Sequence, residues 1–344
     1  MFNTRMPKKR RFTKGGFPAR KSNAKSIVGR LYDQAMENEY MTKQGRRPEY
    51  RPSSFPLCSI LTYMSLVKGA SLGHFESSRT ASGDYFTSVG TIAHENIQFH
   101  MGFSGKIFGD WKCRNMGCQK GLRGRDLFDA DGNLVRKGKL TRKNTTKHKC
   151  PKCAHPMEYV EKEISYKGLK GHIDCIVKLA DGTYWVADYK TCTRTKLESG
   201  KLPAKAHLKQ LPSYCWVLQK KYGMVIAGFS LLYFSRDNPF NYFEHAEEWT
   251  EAWNKKCENI IKQERIKFRA GVASFRSMDP TEAIKQKPCK TLAFYEKEMA
   301  YYTECPMLSV CFSPKKLKKA LDQHVKEFPS SSEDRKIIAE AINI

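Results

Sequence analysis

The chain has 344 residues, 40% of them hydrophobic, which is enough to bury a sizeable core in one large domain or two ordinary ones. Its 61 lysines and arginines outnumber its 35 acidic residues, and the formal net charge of +26 predicts a polyanionic partner, most simply a nucleic acid. No apolar run approaches the roughly 20 residues of a membrane span, and the N-terminal residues lack the apolar core of a secretory signal, which argues against a membrane or secreted protein.

The first third of the chain is basic and then helical. Residues 1–30 hold ten lysines and arginines and no acidic residue, a pattern typical of a disordered basic arm that contacts phosphates. A short helix is predicted over Ser26–Glu39, and residues 31–109 as a whole are predicted to be an N-terminal helical part. Its main helices are expected to begin near Cys58 and near Thr87, and the second has apolar residues at helical spacing: Val89, Ile92, Ala93 and Ile97.

Residues 110–158 change character and predict a small inserted module rich in Lys, Arg, Gly and Cys. Two cysteine pairs, Cys113-x4-Cys118 and Cys150-x2-Cys153, have the spacing of a zinc ribbon with a tetrahedral Zn²⁺. Free cysteines prefer burial, whereas these lie among polar and basic residues. Four thiolates leave no open position on the metal, so the predicted role is structural, with a basic surface that could bind nucleic acid. The alternative ligands are His148 and His155.

The next segments, 159–312, predict an α/β core. Three β-like segments cover residues 158–167, 169–179 and 183–191, and a tight turn joins the last two. They are followed by a helix over 204–223 with Pro212 as a kink, a buried strand over 224–236 and a long helix over 247–271 that ends at Gly271. A charged helix is predicted in residues 313–344. The order helix, three strands, helix, strand indicates an α/β core with cysteine-bearing segments added to it.

The hairpin formed by the last two β-like segments carries charge among apolar residues. Asp188 and Lys190 are two residues apart on a strand and therefore share one face, and Asp174 on the paired strand can face them. Carboxylates hold hard cations such as Mg²⁺, and a divalent cation supplies both a nucleophilic water and charge neutralisation for phosphodiester cleavage. A salt-bridged edge hairpin is an equally good interpretation of these three residues taken alone.

Three stretches resemble a known family. Residues 171–191, GHIDCIVKLADGTYWVADYKT, resemble motifs II and III of the PD-(D/E)xK nucleases in their RecB-like branch, which includes AddB-type exonucleases. GTIAHENIQ resembles the segment with that branch's metal-binding histidine, and QLPSY resembles its Gln and Tyr helix. The resemblance covers residues 55–312. It implies a restriction-endonuclease-like core, in which helices flank a mixed central sheet, here with an inserted zinc-ribbon module.

The resemblance implies a role for each matching acid and for the histidine. His94, Asp174 and Asp188 would bind Mg²⁺ or Mn²⁺, with the backbone carbonyl of Tyr189 as a further ligand. Many relatives have Glu at the position of Asp188. The Asp side chain is shorter, which changes the distance between its carboxylate and the metal. Glu163 fits the upstream acid of the family, and an ordinary solvated strand acid is an equal alternative. For His94 the alternative is a buried structural histidine.

Three further residues are assigned by the same resemblance. Lys190 would position the attacking water or stabilise the developing charge. Gln210 and Tyr214 would contact the DNA or support the metal site, and an ordinary helix face is the alternative for both.

A second group of cysteines resembles the iron–sulfur ligands of RecB-like nucleases, which place one cysteine before the core and three after it. The resemblance implies a 4Fe-4S cluster on four residues: Cys58, Cys289, Cys305 and Cys311. This chain departs from the family where Tyr302 and Thr303 stand near the usual position of one ligand. Zinc or plain buried cysteines are the alternatives, and Cys257 is a poorer candidate ligand. The remaining cysteines are expected to be buried apolar residues: Cys175, Cys192 and Cys215.

These patterns predict a Mg²⁺- or Mn²⁺-dependent DNA nuclease. The resemblance further implies an exonuclease on single strands or DNA ends, in repair, recombination or phage DNA metabolism. Recombination or replication proteins are the expected partners, the location is expected to be cytoplasmic and nucleoid-associated, and the oligomeric state stays open. The first alternative is a non-catalytic nucleic-acid-binding zinc-ribbon protein with a degenerate nuclease fold. The second is an RNA-processing or replication factor that works through its ribbon. Aromatic residues in 230–243 could stack on exposed bases.

Overall fold

The structure of the protein is a computed structural model. It describes residues 49–55, 57–70, 81–102, 107–113, 115, 117–118, 127–128, 134–135, 150, 152–155, 157–238, 241–296, 305, 307–328, 331–333, 335, 338 and 342. The predicted basic arm, the predicted helix over Ser26–Glu39 and the alternative zinc ligand His148 lie outside the described residues. None of the described helices is long and apolar enough to cross a membrane.

The described helices are α1 (Ser59–Ala70), α2 (Ala81–Gly102), α3 (Arg194–Glu198), α4 (His207–Tyr222), α5 (Glu251–Ser277), α6 (Thr281–Lys285), α7 (Leu292–Phe294) and α8 (Pro314–Glu327). The described strands are β1 (Asp110–Cys113), β2 (Leu127–Phe128), β3 (Leu134–Val135), β4 (Met157–Val160), β5 (Lys162–Tyr166), β6 (Leu169–Ile173), β7 (Cys175–Lys178), β8 (Tyr184–Cys192), β9 (Ile226–Ser235) and β10 (Tyr242–Glu248).

The central sheet is mixed and has the strand order β10-β9-β8-β7. Strands β8 and β9 run parallel, and α3 and α4 form the crossover that a parallel pair requires. The outer pairs β7–β8 and β9–β10 are antiparallel. Helices flank this sheet, and the predicted restriction-endonuclease-like α/β fold is therefore confirmed.

Two smaller sheets adjoin the central one. Strands β5 and β6 form a two-stranded sheet, and β1 to β4 form a second sheet with the order β3-β2-β1-β4. We call the sheet of β1 to β4, together with the cysteines at its end, the ribbon. Strands β1 to β3 and the four cysteines fall within residues 110–158, the range predicted as an insertion, and β4 extends beyond it to Val160. Ile107, just before β1, bridges to Val177 of β7, so the chain enters the ribbon from the edge of the central sheet.

The β-like segments are more interrupted than the sequence predicts. The segment 158–167 is divided at Glu161, because its first half pairs with β1 and its second half with β6. The segment 169–179 is likewise divided at Asp174, where the chain leaves β6 and enters the central sheet as β7. Both divisions occur at a carboxylate.

The long helix does not end at Gly271 as predicted. Helix α5 continues to Ser277 and ends at Met278, which has a φ of 54° in the left-handed region. Gly271 instead lies where α5 crosses α1, and a Cβ there would come within 2.7 Å of the Ser59 carbonyl oxygen and of Thr62. This glycine permits a close helix contact and does not terminate the helix.

Strand β10 was not predicted. Its last two residues, Glu247 and Glu248, were expected to begin the long helix. Its side chains alternate between exposed and half-buried, as in an edge strand. The helix begins only at Glu251, after Thr250 caps it by accepting a hydrogen bond from the Trp253 N–H. The alternation of apolar and polar residues that is typical of a strand is absent from YFEHAEE, because glutamates lie on both faces of the strand.

The main core lies between the central sheet and helices α1, α4 and α5. Helix α4 is buried from Gln210 to Leu218 and continues across Pro212. It ends as predicted at Gly223, whose φ of 64° suits a residue without a side chain. The three cysteines expected to be apolar core residues, Cys175, Cys192 and Cys215, are buried.

Candidate active site and cysteine centres

Strands β6, β7 and β8 bring the acids of the hairpin together. Asp174 lies at the break between β6 and β7, while Asp188 and Lys190 lie in β8. Because Cys175 pairs with Ala187 in an antiparallel register, Asp174 and Asp188 fall next to each other on neighbouring strands. The facing arrangement of the two aspartates and the lysine is thus the one that the sequence suggested.

Helix α2 places His94 on the first of these acids. Its Nε2 atom lies 2.9 Å from Oδ2 of Asp174, which also accepts a hydrogen bond of 2.7 Å from the Tyr189 N–H. Burial would raise the pKa of Asp174, but the His94 hydrogen bond, the Lys190 charge and the Tyr189 N–H lower it below its usual value. Asp174 is therefore held ionised. Tyr189 contributes its N–H to this arrangement.

Glu161 joins the same group, and the sequence did not single it out. Its Oε1 atom lies 3.4 Å from Nδ1 of His94 and accepts a hydrogen bond of 3.4 Å from Nε2 of Gln98. One ligand atom each from His94, Glu161 and Asp174 lie within 4.8 Å of one another. Burial and the nearby Asp174 charge raise the pKa of Glu161. Glu163, which the resemblance offered as the upstream acid with an ordinary strand acid as an equal alternative, lies within β5 opposite His172.

Asp188 is the deepest charged residue of the site and is 1% exposed. Its Oδ2 atom contacts the Lys190 ammonium, and its Oδ1 atom accepts a hydrogen bond of 3.3 Å from Nε2 of Gln210. Burial raises the pKa of Asp188 to about 7, against the opposing effect of the Lys190 charge. Asp188 therefore lies beside the group of His94, Glu161 and Asp174, paired with the lysine.

Helix α4 supports Asp188 from behind. Gln210 and Tyr214 are four residues apart on one helix face, and Gln210 Nε2 also donates a hydrogen bond of 3.4 Å to the Tyr214 hydroxyl. The Tyr214 ring lies against Gly171 in β6, where a Cβ would come within 2.5 Å of it. Gly171 is thus the glycine that lets this ring reach the site, which explains its position ahead of Asp174.

His207 lies on the same face of α4, one turn before Gln210, and sequence reasoning missed it. Its Nδ1 atom lies 2.8 Å from the Tyr233 hydroxyl, which also accepts a hydrogen bond of 3.1 Å from the Ala204 N–H. Tyr233 is paired with Lys190 across β8 and β9. Burial, with the charge of Lys190 added, lowers the pKa of His207 to about 3, so the ring is neutral at working pH.

The donor set of the site fits a divalent cation. An imidazole and two carboxylates converge, and a third carboxylate lies on the adjacent strand; this combination suits Mg²⁺ or Mn²⁺ with some waters retained. Asp174 and Asp188 are buried and Glu161 is half-buried, and such a group of acids is costly unless cations compensate it.

The ribbon cysteines converge as the sequence predicts. The Sγ atoms of Cys113 and Cys153 are 3.5 Å apart, and those of Cys118 and Cys150 are 3.6 Å apart. A tetrahedral Zn²⁺ with Zn–S bonds of about 2.3 Å would separate its sulfur ligands by roughly 3.8 Å, so the four thiols are close to the required spacing. His155 is exposed, and its ring contacts the Cys153 carbonyl.

The second group of cysteines is arranged differently. Cys58, Cys289, Cys305 and Cys311 line one cavity, together with Lys287 and Tyr295 among others. Burial raises the pKa of Cys58 to about 12 and that of Cys289 to about 11. Among the described residues, no three ligand atoms of this group come within 4.8 Å of one another, unlike those of the ribbon. Cys257 lies in the main core and does not line this cavity.

Comparisons with known proteins place the chain in a family. A family model described as the PD-(D/E)XK nuclease superfamily matches residues 125–312, which is more than half of the chain. No curated protein matches the sequence. A solved structure titled "Crystal structure of SSO0001" is similar at 16% identity and a TM-score of 0.28, over 69% of this chain and 86% of that one. The matched residues include Glu161, Asp174, Asp188 and Lys190, and the chain therefore belongs to the PD-(D/E)XK nuclease superfamily, a group of nucleases that use divalent metals.

Proposed function

We propose that the protein is a Mg²⁺- or Mn²⁺-dependent deoxyribonuclease that hydrolyses phosphodiester bonds and acts as an exonuclease on single-stranded DNA or DNA ends. The observation that carries this proposal is the convergence of His94, Glu161 and Asp174 beside the Asp188–Lys190 pair. His94, Glu161, Asp174 and Asp188 would hold the cation, which when bound supplies charge neutralisation and a water of lowered pKa.

The chain's own residues divide the remaining work. The Lys190 ammonium, part-exposed at 23%, is oriented by Asp188 and can hold a water or stabilise the charge that develops on the phosphate. Without a bound cation, burial raises the pKa of Asp188 to about 7, so a proton and the cation would compete for this carboxyl near neutral pH. Gln210, itself braced by Tyr214, orients the Asp188 carboxylate.

The affinity for nucleic acid would come from electrostatic contacts with phosphates, which do not depend on the base sequence. The net charge of +26 provides this affinity, and the ribbon, the basic arm and the lysines of α8 are candidate contact regions. A role in DNA repair, recombination or phage DNA metabolism, alongside recombination or replication proteins, stays a prediction from the resemblance to RecB-like nucleases, as does the cytoplasmic, nucleoid-associated location.

We also propose two cysteine-bound cofactors, a structural Zn²⁺ in the ribbon and a 4Fe-4S cluster on Cys58, Cys289, Cys305 and Cys311. The wider spacing of the second group around a cavity favours a multi-atom cluster over a single ion, because one ion needs its thiolates at mutual distances of roughly 3.8 Å. Anaerobic purification followed by iron, sulfide and zinc analysis tests both proposals. Cys311→Ser should lose the iron and keep the zinc.

The activity is tested with end-labelled single-stranded DNA, double-stranded DNA and RNA, each with Mg²⁺ or Mn²⁺, using the wild type, Asp174→Asn and Lys190→Ala. We expect the wild type to degrade DNA and both variants to bind it without cutting, and the product lengths show whether cleavage starts at ends. Tight binding without cleavage by the wild type under every metal would contradict the proposal and favour the nucleic-acid-binding alternative.

A further inference from the structure

Glu161 has an unusual position in the chain. It is the single residue between β4, which belongs to the ribbon, and β5, which belongs to the β5–β6 hairpin. The neighbouring Val160 pairs with Asp110 of the ribbon, and the neighbouring Lys162, which is completely buried, pairs with Ile173 next to Asp174. The position of the Glu161 carboxylate therefore depends on where the ribbon holds the end of β4.

The cysteine group holds the opposite end of the same strand pair. Cys113 is the last residue of β1 and pairs with Met157, the first residue of β4. Cys150 and Cys153 lie just before β4, and the Cys150 N–H donates a hydrogen bond of 2.9 Å to the His155 carbonyl. Strand β4 has four residues, so the cysteines lie only roughly 13 Å from Glu161 along the strand.

The ribbon also packs against the back of the active-site strands. Trp111 and Tyr159 pack edge to face at 5.7 Å, and both lie in one buried cluster with Cys175, Ala187 and Tyr189. These last three residues directly follow or flank Asp174 and Asp188 in the sequence. The Phe108 N–H donates to the Ile176 carbonyl at 2.6 Å, which fixes the start of the ribbon to β7.

The described ribbon strands are short, so their position depends on the packing described above and on a link between their ends. They have four, two, two and four residues, and small sheets of this kind have little stability without additional packing or a cross-link. A metal that joins the β1 end to the turn before β4 supplies such a cross-link. His94 lies on α2 and Asp174 at the edge of the central sheet; both elements contact the ribbon, but only Glu161 directly follows a ribbon strand in the chain.

We infer that the four-cysteine metal site of the ribbon positions Glu161, so that Zn²⁺ in the ribbon sets the affinity of the neighbouring acidic site for its divalent cation. This inference depends on the proposed catalytic metal site. It gives the ribbon a role inside the nuclease centre in addition to any contact with nucleic acid.

The test measures Mn²⁺ binding to the full-length protein without DNA, by calorimetry or by the resonance signal of free Mn²⁺, alongside zinc content. The variants are Glu161→Gln, Cys150→Ser with Cys153→Ser, and the combination of all three. We expect Glu161→Gln to weaken Mn²⁺ binding roughly tenfold or more. The cysteine variant should lose one zinc per chain and weaken Mn²⁺ binding by a similar factor. The triple variant should bind Mn²⁺ no more weakly than the Glu161→Gln variant or the cysteine variant, because both changes act through the Glu161 carboxylate.

The matched control is Lys152→Ala, which removes an exposed charge between the two cysteines and should keep both the zinc and the Mn²⁺ affinity. Loss of zinc with unchanged Mn²⁺ affinity would overturn the inference. A wild type that binds no Mn²⁺ would instead refute the proposed catalytic site, and the inference with it.

A reversible version covers the case in which the cysteine variant fails to fold. Zinc is stripped from the wild type with a chelator, the chelator is dialysed away, and Mn²⁺ binding is measured before and after zinc is restored. Recovery of Mn²⁺ affinity on zinc addition supports the inference, and equal affinity in both states contradicts it.

Discussion

Asp188 shows how burial and pairing compete at a single residue. Its carboxylate is almost fully enclosed, and the Lys190 ammonium compensates only part of the cost of burying its charge, so its pKa rises to about 7. A carboxyl with a raised pKa in the folded state binds its proton more tightly there than in the unfolded chain. The native state therefore loses stability as the pH rises from the unfolded pKa of about 4 to about 7.

The first prediction is that this loss of stability with rising pH can be measured. Without added Mg²⁺ or Mn²⁺, the free energy of unfolding of the wild type should fall relative to that of Asp188→Asn by up to about 1.4 kcal/mol per pH unit between pH 4 and pH 7. Urea unfolding of both proteins across this range measures the difference. Asp181→Asn, a change at an exposed turn acid, is the control. A difference independent of pH would contradict the raised pKa.

A second prediction concerns the close approach of Gly171 and Tyr214. Gly171→Ala places a Cβ within 2.5 Å of the Tyr214 ring, which must move and withdraw its support from Gln210 and Asp188. We expect kcat to fall roughly tenfold or more while DNA affinity changes little. Tyr214→Phe keeps the ring but removes the hydroxyl that accepts the Gln210 hydrogen bond, and it should lower kcat to a similar extent. Unchanged kcat in Gly171→Ala would show that the Tyr214 position does not matter for the reaction.

At the scale of elements, α5 and α1 cross at a glycine. In an exposed helix, replacing Gly by Ala stabilises by up to about 1 kcal/mol. At Gly271 the added methyl would meet the Ser59 carbonyl and Thr62 at 2.7 Å, and a backbone oxygen cannot turn aside. The packing penalty therefore outweighs the helix propensity.

The third prediction is that Gly271→Ala lowers the free energy of unfolding by about 1 to 3 kcal/mol. Denaturant unfolding measures this change. Ala273→Gly, at an exposed position of the same helix, should cost about 1 kcal/mol through propensity alone. A Gly271→Ala protein more stable than the wild type would show that the two helices can separate at little cost.

At the scale of the whole molecule, one helix carries a concentrated positive charge on its exposed face. Helix α8 buries Leu317, Leu321 and His324 against the body and exposes five lysines, Lys315, Lys316, Lys318, Lys319 and Lys326. Its His324 ring nitrogen lies 3.2 Å from the Met64 carbonyl of α1, so the lysines project from a fixed helix. Such a face suits binding to phosphates, which carry no sequence information.

The fourth prediction is therefore a change in salt dependence. Replacing Lys315, Lys318 and Lys319 by Gln should weaken DNA binding and reduce the slope of log K against log salt by about 0.9 for each phosphate that the protein no longer neutralises. The matched control replaces the same three residues by Arg, which keeps the charge and should keep the slope. An unchanged slope in the Gln variant would place the DNA elsewhere on the surface.

Much of the fold could be predicted from the sequence, because its helices and strands have regular apolar periods and clear end signals. The hairpin with Asp174, Asp188 and Lys190 and the end of α4 at Gly223 are examples. Strand β10 and the end of α5 could not be predicted. Their boundaries depend on packing against β9 and α1, which are distant in the chain.

The chemical groups of the candidate site can be read from the sequence alone: which acids, histidine, lysine and cysteines are present, and at what spacing along their strands and helices. The sequence does not show which of two neighbouring glutamates joins His94 and Asp174, because that depends on the tertiary structure. Local alternation cannot distinguish Glu161 from Glu163, which are two residues apart on one β-like segment. Glu161 joins the site because the chain passes there from the sheet of β1 to β4 into the β5–β6 hairpin. Which strands pair depends on residues that are distant in the chain, so a local sequence pattern cannot show where this change occurs.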